Sequence, residues 1–369
     1  MKRQKHRRII ISGGGTGGHI FPAISIANAL KRMDQDIEIL FVGAEGRMEM
    51  QMIPSAGYKI IGLPVQGFYR KVSFRNLSVL LKLMKSLSLA KKIIKEFSPD
   101  VTVGVGGYAS GPVLYQAGRL GIPILIQEQN SYAGLTNKIL ARKASAICVA
   151  YDDMDKYFPR EKIIKTGNPV RQNYDNLEKL RNEALSFFRM SNNSPVILIL
   201  GGSLGAETIN KSFSENISGM IDSGYQWLWQ TGINYFDRIN AMLRDASEKR
   251  ISVHSFIERM DYAYAAADII ISRAGAGTIS ELCLAGKPVI LVPSPNVSED
   301  HQTKNALALY YKDAALMVRD GDAVKTLLNV AVKLVANKEE REFLSANIVK
   351  IANRDADLRI AEEVLKLAR

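Results

Sequence analysis

The chain has 369 residues, which at roughly 100–200 residues per domain predicts two domains. A hydrophobic fraction of 47% provides for packed cores and excludes disordered, collagen-like and disulfide-scaffold classes. The net charge of +12 is concentrated: residues 1–8 carry five Lys/Arg, residues 50–95 carry nine with no Asp or Glu, and the remainder is close to neutral.

In chain order, the basic extension Met1–His6 is followed by only three isoleucines, too short an apolar run for a signal peptide. Strand-length apolar runs follow at Arg8–Ser12, Glu38–Gly43, Lys59–Leu63, Asp100–Val105, Ile122–Ile126 and Ser145–Ala150. Helical patterns lie between them at Phe21–Arg32, Leu77–Lys95 and Gly111–Arg119. The second of these is aliphatic as well as basic, with Leu77, Val79, Leu80, Leu81, Leu83, Met84, Leu87, Leu89, Ile93 and Ile94. It reads either as a surface for anionic lipid or as a core helix with a lysine-rich solvent face. Aromatic or helical readout among the basic residues is lacking, so nucleic acid is not an expected partner.

Thr166-Gly167-Asn168-Pro169 breaks the pattern, which restarts with strands at Pro195–Leu200, Gln226–Gln230, Arg250–His254, Asp268–Ser272, Pro288–Val292 and Ala314–Val318. Strands alternating with helices predict two doubly wound α/β domains. Their sites are expected at the carboxyl ends of the strands, with a shared cleft. No run of 18 uncharged apolar residues predicts a spanning helix. Cys148 and Cys283 stand in apolar stretches without metal-ligand spacing and read as core residues of a reduced protein.

Four glycine-rich turns follow strands: Gly13–His19, Gly104–Pro112, Gly201–Ala206 and Arg273–Thr278, the last before a helix expected over Ile279–Ala285. Glycine admits close backbone approach, and a following helix presents its positive end. Gly13, Gly15 and Gly18 fit G-x-G-x-x-G, and Glu45 could be the acid of a dinucleotide fold, so a nicotinamide enzyme stays open on this motif alone. Asp153-Met154-Asp155 has the D-x-D form of some metal sites, but acids opening a helix are common for dipole reasons, and no metal or other cofactor is expected.

Seven segments resemble the MurG family, the N-acetylglucosaminyltransferases of bacterial wall synthesis. They are GGGTGGHIFPA (13–23), VGGYASGP (105–112), QEQNSYAGLTNK (127–138), TGNPVR (166–171), GGSLGA (201–206), RAGAGTISEL (273–282) and HQTKNA (301–306). They run in order through both halves. The resemblance implies two Rossmann-like domains around a cleft, the GT-B architecture, divided as 1–167 (acceptor-binding and membrane-associating) and 168–352 (UDP-GlcNAc-binding). A terminal helix near 353–369 is expected to pack back on the first domain. The implied activity is β-1,4 transfer of GlcNAc from UDP-GlcNAc to the C4 hydroxyl of MurNAc in lipid I, with inversion, giving lipid II. The implied location is peripheral, on the cytoplasmic face of the bacterial cytoplasmic membrane. Implied partners are undecaprenyl-linked lipid I, an anionic membrane surface and proteins of wall synthesis or division.

The residues carry the resemblance unequally. His19 stands at a helix start, where the positive end favours the neutral imidazole, and histidine is the usual base at neutral pH; the resemblance implies that it deprotonates the acceptor. A capping or packing role is the plain alternative. The resemblance implies that Thr16, Gly17 and Gly18 contact the donor, that Asn130 bonds the donor sugar, that Ile257 contacts uracil and that Gln302 binds GlcNAc hydroxyls. Arg171 and Ser203 are candidates for the departing diphosphate. Thr278 and Glu281 form T-x-x-E, a helix capping box, whereas the resemblance gives Glu281 the ribose hydroxyls and lets Ala276, Gly277, Thr278, Ile279 and Ser280 line the nucleotide. Gly106, Gly107, Tyr108 and Ser110 form the expected acceptor loop. Another UDP-sugar enzyme of the same architecture, a glycolipid transferase or a non-hydrolysing epimerase, is the runner-up; a non-catalytic membrane-docked subunit is a third reading.

Overall fold

The computed structural model describes residues 6–66, 75–170, 174, 176–244, 250–297 and 300–368, without the side chains of 75–77 and 244. The chain forms two compact units, Met1–Arg171 with Asp355–Arg369, and Gln172–Arg354.

In the first unit the described strands are β1 (Arg8–Ser12), β2 (Glu38–Ala44), β3 (Lys59–Leu63), β4 (Val101–Gly104), β5 (Ile124–Glu128), β6 (Ala146–Val149) and β7 (Ile163–Lys165). All pair in parallel, in the order β3-β2-β1-β4-β5-β6-β7. The connecting helices are α1 (Gly17–Met33), α2 (Glu49–Ser55), α3 (Arg75–Phe97), α4 (Ser110–Arg119) and α5 (Leu135–Leu140).

The second unit repeats the plan. Its strands β8 (Val196–Leu200), β9 (Gln226–Gln230), β10 (Ile251–His254), β11 (Ile269–Ser272), β12 (Val289–Leu291) and β13 (Leu316–Met317) run in the order β10-β9-β8-β11-β12-β13. Its helices are α6 (Leu177–Phe187), α7 (Glu207–Ser214), α8 (Ile217–Asp222), α9 (Phe236–Arg244), α10 (Met260–Ala266), α11 (Ala276–Ala285), α12 (His301–Tyr310), α13 (Asp320–Ala336) and α14 (Lys338–Ile351). The last helix, α15 (Ala356–Leu367), belongs to the first unit.

Helices on both faces explain why the central strands are uninterrupted apolar runs. Ile9, Ile10 and Ile11 are all fully buried. Ile9 and Ile11 join one core with Ile20 and Ala27 of α1 and Ile360 and Val364 of α15. Ile10 points the other way, to Ile93 and Ile94 of α3 and Val113 and Leu114 of α4. Each such side chain contributes about 1.5–3 kcal/mol of burial. In the second unit Ile197, Ile199, Trp227 and Trp229 pack with Phe213 of α7 and Leu327 of α13. The two indoles are satisfied by Met220 O at 3.1 Å and Asn210 Oδ1 at 3.0 Å. Both cysteines are buried, and burial pushes each thiol up to about 12, so neither is a ready nucleophile.

Three elements depart from the sequence expectation. β7 was not expected, because it is a three-residue edge strand, only partly buried and containing Lys165. α1 begins at Gly17 rather than Phe21, and α11 at Ala276 rather than Ile279, because glycines of low helix propensity occupy the first turns. In each sheet the strand order reverses at one point, between β1 and β4 and between β8 and β11. The four glycine turns follow those four strands, so each unit carries two of them at its switch point.

Candidate active site

The first turn leaves β1 through Gly14 (φ +146°) and Gly15 (φ +88°), conformations that L side chains rarely adopt. Thr16 then caps α1 in an extended conformation, and its carbonyl accepts the N–H groups of His19 and Ile20, each at 3.1 Å. Its Oγ1 lies 3.3 Å from His19 Nδ1. The tautomer in which Nδ1–H donates to this hydroxyl is the one that carries the ring's lone pair on Nε2, whereas a Thr16 hydroxyl donating to Nδ1 goes with Nε2–H. His19 is half-buried, Gly17 lies against Phe21, and Thr16 and Gly18 are exposed.

The second turn rests on the first. A Cβ at Gly106 (φ +93°) would stand 2.8 Å from His19 Nε2 and Cδ2, so only glycine fits against that ring edge. A Cβ at Gly107 (φ +84°) would stand 2.3 Å from Gly14 O. Tyr108 is exposed, whereas Ser110 is fully buried and donates its hydroxyl to Gly107 O at 2.9 Å. Ser110 therefore braces the expected acceptor loop instead of presenting its hydroxyl to a ligand.

Beneath this loop is a buried amide chain. Gln129 Nε2 donates to Val105 O at 2.7 Å and also to Gln127 Oε1; Gln127 Nε2 donates to Asn168 Oδ1 at 3.0 Å; and Asn168 Nδ2 returns to Gln129 O at 2.9 Å. Asn130 is tied to the end of β5. Its N–H and Nδ2 both donate to Glu128 Oε1, at 3.1 and 3.3 Å. Glu128 also accepts from Gly134 N–H at 3.0 Å and Asn137 Nδ2 at 2.8 Å. Burial pushes its carboxyl upward, against the opposing pull of these donors. This amide and carboxylate scaffold was missed from sequence; the polar string Gln127–Asn130, which ends and follows an apolar strand, was its only signal.

In the second unit the turn after β8 is sealed by Gly232, whose Cβ would lie 2.1 Å from Gly205 N. Ser203 is exposed, and its carbonyl accepts Ile233 N–H at 3.1 Å. After β11, Gly275 caps α11, and Ile279 N–H donates to Gly275 O at 2.8 Å. The N–H groups of Ala276, Gly277 and Thr278 precede the first helical bond and form the helix's positive end. A Cβ at Gly277 would meet nothing within 4 Å, so this end opens outward. Ile279 and Ser280 offer less than expected: the Ile279 side chain is buried and its N–H is engaged, and Ser280 Oγ donates to Ala276 O at 3.0 Å.

The capping-box reading of Thr278 and Glu281 is overturned, because the helix starts two residues before Thr278 and both side chains lie inside it. Glu281 Oε2 accepts from the hydroxyl of buried Tyr264 at 3.2 Å. Tyr264 meets Tyr174 edge-on, with centroids 5.2 Å apart. Ile257 is buried and donates its N–H to Gln230 Oε1 at 2.9 Å. Gln302 Oε1 accepts Ser294 N–H at 2.9 Å, and Asn305 Nδ2 ties α12 to Ala274 O at 3.3 Å. Asp320, not anticipated, joins the neighbours of both turns: it accepts from Thr208 of α7 at 2.9 Å and pairs with Arg273.

Arg171 lies outside the described residues. Asp153 (φ +57°) caps a single 3-10 turn, and its neighbour Asp152 pairs with Lys165. Among the described residues no group of three or more His, Cys, Asp or Glu is placed to hold a metal. Glu45 is exposed, so the acid that faces the first turn is Glu49 rather than the one a dinucleotide fold would supply.

Residues 9–149 match the glycosyltransferase family 28 N-terminal domain, and residues 196–360 match the family 28 C-terminal domain. A UDP-N-acetylglucosamine--N-acetylmuramyl-(pentapeptide) pyrophosphoryl-undecaprenol N-acetylglucosamine transferase of Parabacteroides distasonis is 58% identical, covering 98% of both chains. The protein of the same name from Phocaeicola vulgatus is 59% identical, over 99% of this chain and 97% of that one. The crystal structure of Acinetobacter baumannii MurG superposes with a TM-score of 0.77 at 28% identity, covering 98% of this chain and 99% of that one. The chain belongs to glycosyltransferase family 28 and, within it, to the MurG family.

Proposed function

We propose that this chain transfers N-acetylglucosamine from UDP-GlcNAc to the C4 hydroxyl of the N-acetylmuramyl sugar of lipid I, forming lipid II. The observation that carries the reading is the seating of His19: Nδ1 directed to Thr16, and the Nε2 edge facing the side-chain-free Gly106. In the reaction the C4 hydroxyl gives its proton to Nε2 as its oxygen attacks the anomeric carbon. The C4–O–C1 bond forms on one face while the C1–O bond to the diphosphate breaks on the other, which inverts C1. UDP departs with the bonding pair. The first unit supplies the base and the acceptor loop; the second supplies the nucleotide site. Ala276–Thr278 N–H groups and Ser203 receive the diphosphate, Glu281 the ribose hydroxyls, the backbone at Ile257 the uracil, and Asn130 and Gln302 the sugar. Tyr264 holds Glu281 in place, and a charge-assisted bond of this kind is worth roughly 1.5–3 kcal/mol.

UDP release with lipid I, or a short-chain analogue of it, tests the reading. Transfer requires the acceptor, whereas a non-hydrolysing epimerase acts on UDP-GlcNAc alone; acceptor-independent turnover would reject the proposal.

We further propose peripheral attachment at the cytoplasmic face of the bacterial membrane, through the first unit. Among the described residues no helix is long and apolar enough to cross a membrane. Of the aliphatic side chains on α3, Val79, Ile93 and Ile94 are in the core, while Leu80, Leu81 and Met84 are exposed beside Lys82 and Lys85. Leu135 and Ile139 of α5 are also exposed, and α4 packs against both α3 and α5. Phe68, Tyr69, Arg70, Lys71 and Phe74 lie outside the described residues, as does the Arg75 side chain. Each lysine near an anionic surface contributes about 1 kcal/mol. The double variant K82E/K85E therefore reduces binding to anionic vesicles and turnover of membrane-embedded lipid I, and leaves a soluble short-chain acceptor little affected. Unchanged vesicle binding would locate the docking surface elsewhere.

A further inference from the structure

Glu49 is the first residue of α2, and it is almost fully buried. Its Oε2 accepts Gly15 N–H at 2.9 Å, and its Oε1 accepts Ala44 N–H at 3.0 Å. Among the described residues no cation pairs with it. The surrounding backbone is shaped around this carboxylate. A Cβ at Gly14 would stand 2.2 Å from its Oε1, and one at Gly43 would stand 2.7 Å from its Cγ.

The first glycine turn is therefore held from beneath by a carboxylate of its own chain. Gly15 N–H is the kind of amide that a bound phosphate takes in a glycine-rich turn. Here it is already engaged, and the turn is set before any ligand arrives. The next residue is Thr16, whose carbonyl fixes the N–H groups of His19 and Ile20 and whose Oγ1 orients the imidazole. The first turn of α1 contains no acid, so the negative group serving this helix start is delivered from α2.

We propose that Glu49 is a positioning residue for the reaction, holding the Gly15–Thr16 turn so that His19 meets the acceptor hydroxyl in a reactive geometry. The inference rests on the proposed base role of His19. A glutamine at position 49 places an NH₂ group against one of the two backbone N–H groups, and that bond is lost. Misplacement of a reacting group by about 1 Å costs on the order of 10²-fold in rate.

The test is a double-mutant cycle on the full chain, with UDP-GlcNAc and a soluble lipid I analogue. E49Q is expected to lower kcat by roughly 10²-fold, with the affinity for UDP held within about twofold. H19A/E49Q is expected to be no slower than H19A, because the two residues act through one group. Should E49Q fail to fold, E49D, which keeps the carboxylate but withdraws it by one methylene, carries the same cycle. A slow H19A beside a wild-type E49Q (or E49D) overturns the positioning role alone. Full multiplication of the two losses in the double variant also overturns it, since a general structural defect behaves that way. A wild-type rate in H19A overturns the base reading itself, and this inference with it.

Discussion

The two switch points are built on one topology and differ in what fills the turn. In the first unit the β1 turn has Gly15 N–H bonded to Glu49 and is overlain by the β4 turn, with Gly107 against Gly14 and Gly106 against His19. In the second unit the β11 turn ends in a helix start with no acid in its first turn and open space over Gly277. An internally satisfied, covered turn suits the base role proposed for His19. An open helix start with unengaged N–H groups makes an anion site. A glycine-rich turn after a strand is thus a place for chemistry, and the side chain beneath it decides which chemistry.

That contrast is most directly broken at His19. H19A is expected to slow transfer by roughly 10²–10⁴-fold while UDP binding stays near wild type, because the nucleotide residues proposed above belong to the other unit. Parallel loss of UDP affinity, measured by calorimetry, would assign His19 to donor binding instead. Glu281→Ala is expected to weaken UDP binding by about 1.5–3 kcal/mol. Wild type should prefer UDP over 2′-deoxy-UDP and E281A should not; preserved discrimination would remove the ribose role.

A smaller effect sharpens the open-helix argument. Gly277→Asp adds a carboxylate where a Cβ meets no neighbour, so the fold should accept it. An acid in the first helical turn stabilises by about 0.3–1 kcal/mol, yet UDP binding should weaken roughly tenfold through repulsion of the diphosphate. Stronger or unchanged UDP binding would move the diphosphate away from this helix start.

The smallest effect concerns His254, which ends β10 in the second unit with Nε2 2.9 Å from Ser252 Oγ and its ring edge-on to Phe188. Burial pushes its imidazole below the usual histidine value. The unfolded chain therefore binds the proton more readily than the folded one, and stability falls as pH drops below about 6.5. The decline levels off below the folded-state value. His254→Gln is expected to flatten this part of the melting-temperature profile, and an unchanged slope would show that another group sets it.

The alternation of strands and helices was legible because buried parallel strands are continuous apolar runs, as at Ile9–Ile11 and Ile269–Ile271. Edge strand β7 was not, since a half-exposed tripeptide ending in lysine carries no such run. Helix starts were displaced for a related reason: Gly17 and Gly18 in the first turn of α1 and Gly277 in that of α11 have low helix propensity and hide the start of each helix. That displacement reversed the local meaning of Thr278 and Glu281, whose capping-box spacing is incidental once the cap is Gly275.

From the sequence alone followed the two-domain α/β class, the four glycine turns, and the family resemblance that points to His19, because each is written in contiguous residues. Tertiary structure alone decided that Glu49 lies under Gly15, that Ser110 faces inward, that Gln129, Gln127 and Asn168 form one buried chain, and that Asp320 links Thr208 with Arg273. These contacts join residues from 2 to 112 positions apart. Hydrogen bonds of a few ångströms depend on where the packed elements bring side chains together, and separation along the chain does not encode that distance.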